Sequence, residues 1–444
     1  MLSWILFAFG VERQSRAGNY FYFYFPLGLS IAIIIFEIIR RLLIQQLIES
    51  HEKKCKRYIN DKTNNPDMDY FFTVIRIMVI GQEKIYLIEN KGDEIEFNSG
   101  KGFDIPIHRY TDYSLLPHNT FGMDVKAAFF VEYTSVDDLQ TVLAERRRAG
   151  AEDRLLPIGG GSNLLFGGDF RGTVLHSAIR GMTPVAEDDS HVWVKVGAGE
   201  VWDDFVAHCV DRGWYGAENL SAIPGEVGAS AVQNIGAYGA EVKDLITEVE
   251  VVEVATGALR LIPAADCRYA YRQSIFKNEW KGRFIVTHVT YRLGKQPDFR
   301  LDYGNLRTEL EGKPLTLATV REAVRRIRDS KLPDPRKQGN AGSFFMNPVV
   351  ERPCFERIRA DYPSMPFYEV DADHVKIPAG WMIDQCGWKG RALGRAGVHD
   401  RQALVLVNRG GATGAEVMAL AEAVRRDVKE KFGVEIHPEV NYIV

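Results

Sequence analysis

Two glycine-rich stretches constrain this chain more than any other feature. The first is Pro157-Ile158-Gly159-Gly160-Gly161-Ser162-Asn163-Leu164-Leu165, in which a strand-like lead runs into three consecutive glycines. Lacking Cβ atoms, such positions permit positive φ and let backbone N–H groups come close to an anion. Ser162 and Asn163 add side-chain donors. A glycine-rich turn by itself is more often a plain turn than a phosphate cradle. This one also lacks the GxGxxG, the following helix and the ribose-binding acid of a Rossmann unit, so that fold is excluded. The second stretch runs from Ala222 to Gly239, AIPGEVGASAVQNIGAYG. Its small residues at 228–231 let the chain lie flat against a planar ring system, and Gln233 and Asn234 are placed to read the ring's polar edge. The bland alternative is a helix N-terminus packed against a neighbour.

Around these stretches the pattern is mixed. VDDLQTVLAERRRAG and VWDDFVAHCVDRG carry helical spacing, whereas RLLPIG, VWVKVGAG and RFIVTHVTYRL read as short strands ended by glycine. No internal repeat or low-complexity tract is present. The expectation is an α+β protein. With 55 basic and 59 acidic residues the formal charge is -4, which argues against a nucleic-acid partner but leaves room for a local basic pocket. The five cysteines include no CxxC pair, which favours free thiols in a reducing, cytoplasmic setting over a disulfide framework or a zinc site.

The chain changes character near residue 110. Met1–Tyr110 holds 3 Ala and 18 Ile, against 34 Ala and 14 Ile in Thr111–Val444. Within the first piece, Asn19–Phe36 is an uncharged run of 18 residues, at the short end of what spans a bilayer. More Lys and Arg follow this run than precede it, which would keep the remainder in the cytoplasm. A single membrane anchor, an over-extended start and a soluble helical extension all remain open for 1–110. FFTVIRIMVI and KIYLIE, before GDEIEF, read as two or three strands. No chemistry is evident in this piece, and membrane contact is expected only through it.

In order along the chain, GGGSNLLF, VGAGEVW and NLSAIPGEVGASAVQNIGAYG resemble the FAD-binding domain of UDP-N-acetylenolpyruvoylglucosamine reductases. The resemblance starts at Leu116-Pro117-His118-Asn119-Thr120-Phe121-Gly122 and continues to the C-terminus, about three quarters of the chain. It implies a vanillyl-alcohol-oxidase-like (PCMH-type) FAD-binding domain over 111–300 and a smaller α+β substrate domain over 301–444. It also implies a monomer that takes NADPH as reductant and a UDP-sugar as substrate, working in peptidoglycan synthesis without a metal. The FAD contacts so implied are Gly159, Gly160, Gly161, Ser162, Asn163, Gly228, Ser230, Gln233, Asn234 and Gly239.

Reducing an enol-ether double bond needs a hydride at one carbon and a proton at the next, with groups that hold the neighbouring carboxylate. Three motifs resemble the family's catalytic positions. In Tyr271-Arg272-Gln273-Ser274-Ile275-Phe276-Lys277 the resemblance puts Arg272 on the substrate carboxylate, where a planar fork suits two oxygens. The motif departs at Gln273, where Asp is expected. In Gly339-Asn340-Ala341-Gly342-Ser343-Phe344-Phe345 it makes Ser343 the proton donor. In His437-Pro438-Glu439-Val440 it makes Glu439 the acid that works with Arg272, and a bare carboxylate there would repel the substrate, so Glu439 is expected to be protonated at least in part or to act through a bound cation. Tyr303 in LDYGNL, Lys331 in SKLPDP, Asn347 and Gln402 resemble UDP-sugar contacts, and DYGNL points to the subtype with a tyrosine-bearing loop. The implied cycle is ping-pong: NADPH reduces FAD, then the enolpyruvyl sugar nucleotide takes a hydride at C3 and a proton from Ser343 at C2. Another flavin oxidase on this fold, or a non-catalytic UDP-sugar binder, would lack the need for all three motifs.

Overall fold

The computed structural model describes residues 107–444 and, before them, the strands Thr73–Val79, Gln82–Lys91 and Glu94–Asn98. The contacts of the chain divide it into Met1–Asp104 and Ile105–Val444. In the first unit the three strands form an antiparallel sheet in sequence order, matching the strands read from 68–100. The Asn19–Phe36 run lies outside the described residues. Among the described residues no helix is long and apolar enough to cross a membrane.

In the second unit, alternation drives the sheets. Along His191–Gly197 the residues Val192, Val194 and Val196 are fully buried while His191, Trp193 and Lys195 between them are half-buried, the period-2 signature of a strand with one face on a core. That strand pairs antiparallel with Phe284–Gly294 and Met182–Glu187 in a five-stranded sheet completed by Ile246–Glu253 and Leu259–Pro263. Helix Trp202–Arg212 covers it with Trp202, Phe205, Val206 and Cys209, spaced to share one face, and ends at Gly213, whose φ of 70° suits glycine. At roughly 1.5–3 kcal/mol per large apolar side chain buried, this face alone accounts for several kcal/mol.

A second sheet orders His108–Ser114, Lys126–Tyr133, Phe170–Ser177 and Arg154–Ile158, the last three mutually parallel. Helix Val136–Arg148 follows Lys126–Tyr133 and starts in a capping box of Ser135 with Asp138. The strand His108–Ser114 straddles the boundary expected at 110/111. Because it pairs with Lys126–Tyr133, the unit begins at Ile105 instead. Toward the C-terminus, Asn340–Ser343, Val405–Asn408, Ala396–Val398 and Ala392–Leu393 form a further sheet backed by helix Gly414–Phe432. Its core takes in Phe344, Phe345, Phe355 and Phe432 together with Phe121, Met123 and Leu165 from the earlier part of the chain. The final strand, Asn441–Ile443, runs parallel to Leu164–Phe166, directly after the triple glycine. That pairing carries the C-terminus back across the molecule.

Candidate active site

The two glycine stretches face each other across one cleft, lined by 157–164, 223–226, Gly228–Ser230, Gln233, Ile235, Gly236, Arg272, Arg328, Ala341–Ser343 and Glu439. Ser162 Oγ donates to the Pro224 carbonyl (2.9 Å) and so ties one stretch to the other. Gly161, at φ 64°, passes so close to the backbone at His118 that any Cβ would overlap its carbonyl oxygen. A Cβ on Gly228 would stand 2.9 Å from that of Ala198, so this glycine serves close packing of helix Val227–Gln233 on its neighbour.

Chemistry gathers at the far end of that helix. The strand segment around Ser343 meets the C-terminal approach to Glu439: Glu439 N–H donates to the Phe344 carbonyl (2.8 Å), and Met346 N–H to that of His437 (2.9 Å). Asn163 Nδ2 adds a bond to the Glu439 carbonyl (3.2 Å). Arg272 comes from a tight turn closed by reciprocal Ala270–Gln273 bonds, and its φ of 56° is rare for a residue with a side chain. Such strain, about 1–3 kcal/mol, persists where neighbours fix it. Here Nη2 donates to Gly236 (2.8 Å) and Nη1 to Asn234 (3.4 Å). Arg272 Nε lies 3.0 Å from Glu439 Oε1, yet its N–H is not aimed at the carboxylate and stays buried without an acceptor. Lys277 Nζ joins the group through Gln233 Oε1 (3.2 Å) and the Arg272 carbonyl (3.3 Å).

Burial holds the Glu439 carboxyl above its ordinary range, against the smaller pull of Arg272 and Lys277. Burial also draws Lys277 below the ordinary lysine value. The result is a desolvated pocket with two cations against one carboxyl inclined to keep its proton, suited to an incoming carboxylate. Ser343 stands exposed in the cleft with no hydrogen-bond partner for Oγ among the described residues.

Not every expected contact falls here. Asn234 is fully buried and spends its side chain on Glu241, the Ala270 carbonyl and the Lys243 N–H, so it builds the turn under Arg272 and offers nothing to a ring edge. Ser230 touches the cleft, but its hydroxyl is engaged by Val227 and by Tyr291 (2.9 Å). Gly239 lies outside the cleft lining, against Tyr303. Lys331 is exposed in the last turn of helix Leu317–Lys331, and the residue of that helix that does line the cleft is Arg328, whose Nε donates to Ala222 (3.1 Å). Asn347 and Gln402 sit together elsewhere, at the start of helix Ala379–Gln385: Asn347 Oδ1 accepts from Ala379 N–H (2.9 Å), and Gln402 Oε1 abuts Gly380.

Tyr303 belongs to an aromatic cluster. It stacks on Tyr368 (centroids 6.1 Å apart, 8° between planes) and meets Tyr238 edge-on at 6.4 Å. Lys376 Nζ lies 5.1 Å from the Tyr271 ring and 5.6 Å from the Tyr368 ring. Burial and the neighbouring Tyr368 push the Tyr303 hydroxyl up to about 12. Among the described residues no cluster of three or more side chains could hold a metal ion.

Comparison with known proteins bears directly on this arrangement. Residues 127–262 match the family described as FAD binding domain, and residues 334–443 match the one described as UDP-N-acetylenolpyruvoylglucosamine reductase, C-terminal domain. The UDP-N-acetylenolpyruvoylglucosamine reductase of Bacteroides fragilis (strain YCH46) is 61% identical over 332 residues, 74% of this chain and 99% of the relative. The chain belongs to the UDP-N-acetylenolpyruvoylglucosamine reductase family. A reductase of that name from Porphyromonas gingivalis (strain ATCC 33277) is 49% identical over 335 residues, 75% of this chain and 98% of the relative. The crystal structure of the Thermus caldophilus reductase aligns with a TM-score of 0.53 at 22% identity, covering 76% of this chain and 99% of that one, a likeness of fold. The family assignment, the FAD-binding domain and the α+β architecture thus agree with the sequence reading.

The residues present also fit a flavin dinucleotide. The triple glycine keeps one wall of the cleft free of side chains; a Cβ on Gly160 would find only Gly225 and Glu226 at 3.6–3.8 Å. Ser343 Oγ, exposed on the cleft and without a hydrogen-bond partner among the described residues, is open to a ligand there.

Proposed function

We propose that this cleft reduces the enolpyruvyl group of UDP-N-acetylglucosamine enolpyruvate to give UDP-N-acetylmuramate for peptidoglycan synthesis. The protein is an FAD-dependent oxidoreductase with NADPH as reductant, as its family membership entails. One observation carries the finer reading: Arg272, Lys277, Glu439 and Ser343 converge at one end of a glycine-walled cleft.

When bound, FAD supplies the hydride that arrives at C3 of the enol ether. Everything else is the work of the chain. Arg272 holds the substrate carboxylate, oriented by its bonds to the carbonyls of Gly236 and Asn234. Glu439, kept inclined to its proton by burial, donates to the same carboxylate where an ionised acid would repel it. Together they stabilise the charge that develops as C3 receives the hydride. Ser343 Oγ gives its proton to C2, completing addition across the double bond. Gly159, Gly160, Gly161, Ser162, Asn163, Gly228 and Gln233 belong to the wall that receives the dinucleotide, with Arg328 as its cation.

Tyr303 is read as the tip of a substrate-closing loop, with Tyr368 and Lys376 as partners for the nucleotide half. Asn347 and Gln402 join that half from the start of helix Ala379–Gln385. Residues 105–300 are taken as the FAD domain and 301–444 as the substrate domain, in a cytoplasmic monomer.

The test is direct. Purified protein should be yellow, and it should turn NADPH over continuously only when the enolpyruvyl sugar nucleotide is present to reoxidise the flavin. Steady NADPH oxidation by oxygen alone, unaffected by that substrate, would speak for a flavin oxidase instead.

A further inference from the structure

One carboxylate in the cleft has no part in the chemistry above. Glu226 heads helix Val227–Gln233 without capping it, since its side chain makes no bond to the first-turn amides. The side chain turns instead to His176, whose Nε2 lies 3.0 Å from Glu226 Oε1 while its Nδ1 lies 2.9 Å from Glu132 Oε2. Glu226 is 9% exposed and His176 7%, so the pair is desolvated. A buried carboxylate is costly unless paired, and here a histidine fixes one oxygen only. The other, Oε2, has no donor among the described residues and borders the glycine wall, 3.1 Å from where a Cβ on Gly159 would stand. Glu226 is itself part of the cleft lining; His176 is behind it.

We infer that Glu226 Oε2 accepts a hydrogen bond from a sugar hydroxyl of the bound dinucleotide, and that His176 is the positioning residue that aims it. The inference rests on FAD as the ligand of this cleft. Position and charge together select the group. Seven helical residues at about 1.5 Å each separate Glu226 from Gln233 by roughly 10 Å, and Gln233 touches the Lys277–Arg272 cluster. Glu226 therefore meets a part of the cofactor remote from the reacting end. A carboxylate is repelled by the pyrophosphate, and the donors of FAD away from its reacting ring are the adenine amino group and the hydroxyls of the ribityl chain and the ribose; the hydroxyls flank the pyrophosphate, and a glycine wall of the kind that Glu226 borders suits that anion. Acids that accept from ribose hydroxyls do the same work in other dinucleotide sites. The histidine is built to stay in place. Burial draws its pKa down, but the hydrogen bonds and charges of Glu226 and Glu132 outweigh this and leave it raised. The adjoining His118 ring, edge-on at 4.7 Å, is lowered to about 4 by burial and by His176. A neutral His118 therefore leaves any positive charge on His176, between two carboxylates.

The experiment titrates deflavo-protein with FAD and with FAD analogues that each lack one hydroxyl, from the ribityl chain or from the ribose, and follows flavin fluorescence. In the wild type, one analogue should bind roughly ten- to a hundredfold more weakly than FAD, the range for a hydrogen bond to a charged group. Glu226→Ala should weaken FAD by a similar factor and abolish the discrimination against that analogue, whose sugar then names the partner. Glu226→Gln, which keeps size and shape, should shrink the discrimination and supplies the comparison if the alanine variant folds poorly. His176→Asn should shrink it too, which a purely structural role would not do. If every deoxygenation costs the same in the wild type and in Glu226→Gln, the inference is overturned. Wild-type protein that bound no FAD in the same titration would overturn the cofactor reading as well, so the two failures are told apart.

Discussion

Replacing Ser343 by alanine separates catalysis from folding. Ser343 ends the strand Asn340–Ser343, paired with Val405, and its Oγ reaches into the cleft without a bond to any described residue. Deleting such a hydroxyl leaves no buried partner unsatisfied. Stability should stay within about 0.5 kcal/mol of wild type, as for surface changes remote from special features. Loss of a general acid is another matter, typically about 10²–10⁴-fold in rate, or roughly 2.7–5.4 kcal/mol of barrier at 1.36 per decade. The kinetic effect should therefore exceed the stability effect several times over. Stopped-flow absorbance of the flavin resolves the two half-reactions. Reduction by NADPH should proceed at nearly the wild-type rate, while reoxidation by the enolpyruvyl substrate slows at least a hundredfold. Thermal melting of the same sample checks the fold. Normal reoxidation would remove Ser343 from the donor role. Equal slowing of both halves with a lowered melting point would show that the hydroxyl acts on structure.

Arg272→Lys should lower kcat/KM by roughly 10²–10⁴-fold with flavin retained, because an ammonium, though it has three donors, lacks the planar fork that reaches both carbonyls and a carboxylate at once, and each bond to a charged group is worth about 1.5–3 kcal/mol; near-full turnover in steady-state assays would sink the clamp. For Glu439, whose native pKa is raised, the rate of reoxidation should fall as pH rises above the ordinary carboxylate range, and Glu439→Gln should flatten that limb of the profile. The same sign governs stability: the contribution of Glu439 is fully present below its unfolded value near 4.5 and is lost as pH climbs through the higher native one, which pH-dependent melting of wild type against Glu439→Gln would show. A chain starting at Ile105 should bind FAD and turn over like the full chain, since the Bacteroides fragilis relative is matched over 99% of its length by 332 residues of this one; a well-folded protein of that length without flavin or activity would tie residues 1–104 to the enzyme.

What could be read from the sequence follows a physical line. Val192, Val194 and Val196, or Trp202, Phe205, Val206 and Cys209, declare their elements because each repeats its local period against a core. The triple glycine declares itself through Gly161, where a Cβ would overlap the His118 carbonyl oxygen. Arg272, Ser343 and Glu439 were legible only through their motifs, and the C-terminal strand that joins them to the glycine wall has no signature of its own, since Asn441–Ile443 is three residues long and pairs across more than two hundred positions. Lys277 lay in the quoted YRQSIFK motif and went unassigned, although its place after Arg272 is what a second cation there would look like.

The departures from expectation share a cause in the direction a polar side chain takes. Asn234 and Ser230 sit in a stretch that does line a cleft, and composition alone sends their side chains toward it. In the structure Asn234 turns left-handed, at φ 45°, which swings its amide away to Ala270 and Lys243 and makes it the floor beneath Arg272. Along helix Leu317–Lys331 the choice between Arg328 and Lys331 rests on where the helix ends. Both stand in the helix's last turn, but Lys331 is its exposed final residue, while Arg328 is half-buried, bonded to the Ala222 carbonyl and part of the cleft lining. The aromatic cluster was hidden for a different reason: Tyr238, Tyr271, Tyr303 and Tyr368 come from four separate segments, so no spacing links them before the chain has folded. His176 and Glu226, 50 positions apart, were invisible in the same way. Local periodicity therefore reveals which residues build this enzyme's walls, whereas which polar groups face inward is decided by pairings between distant segments.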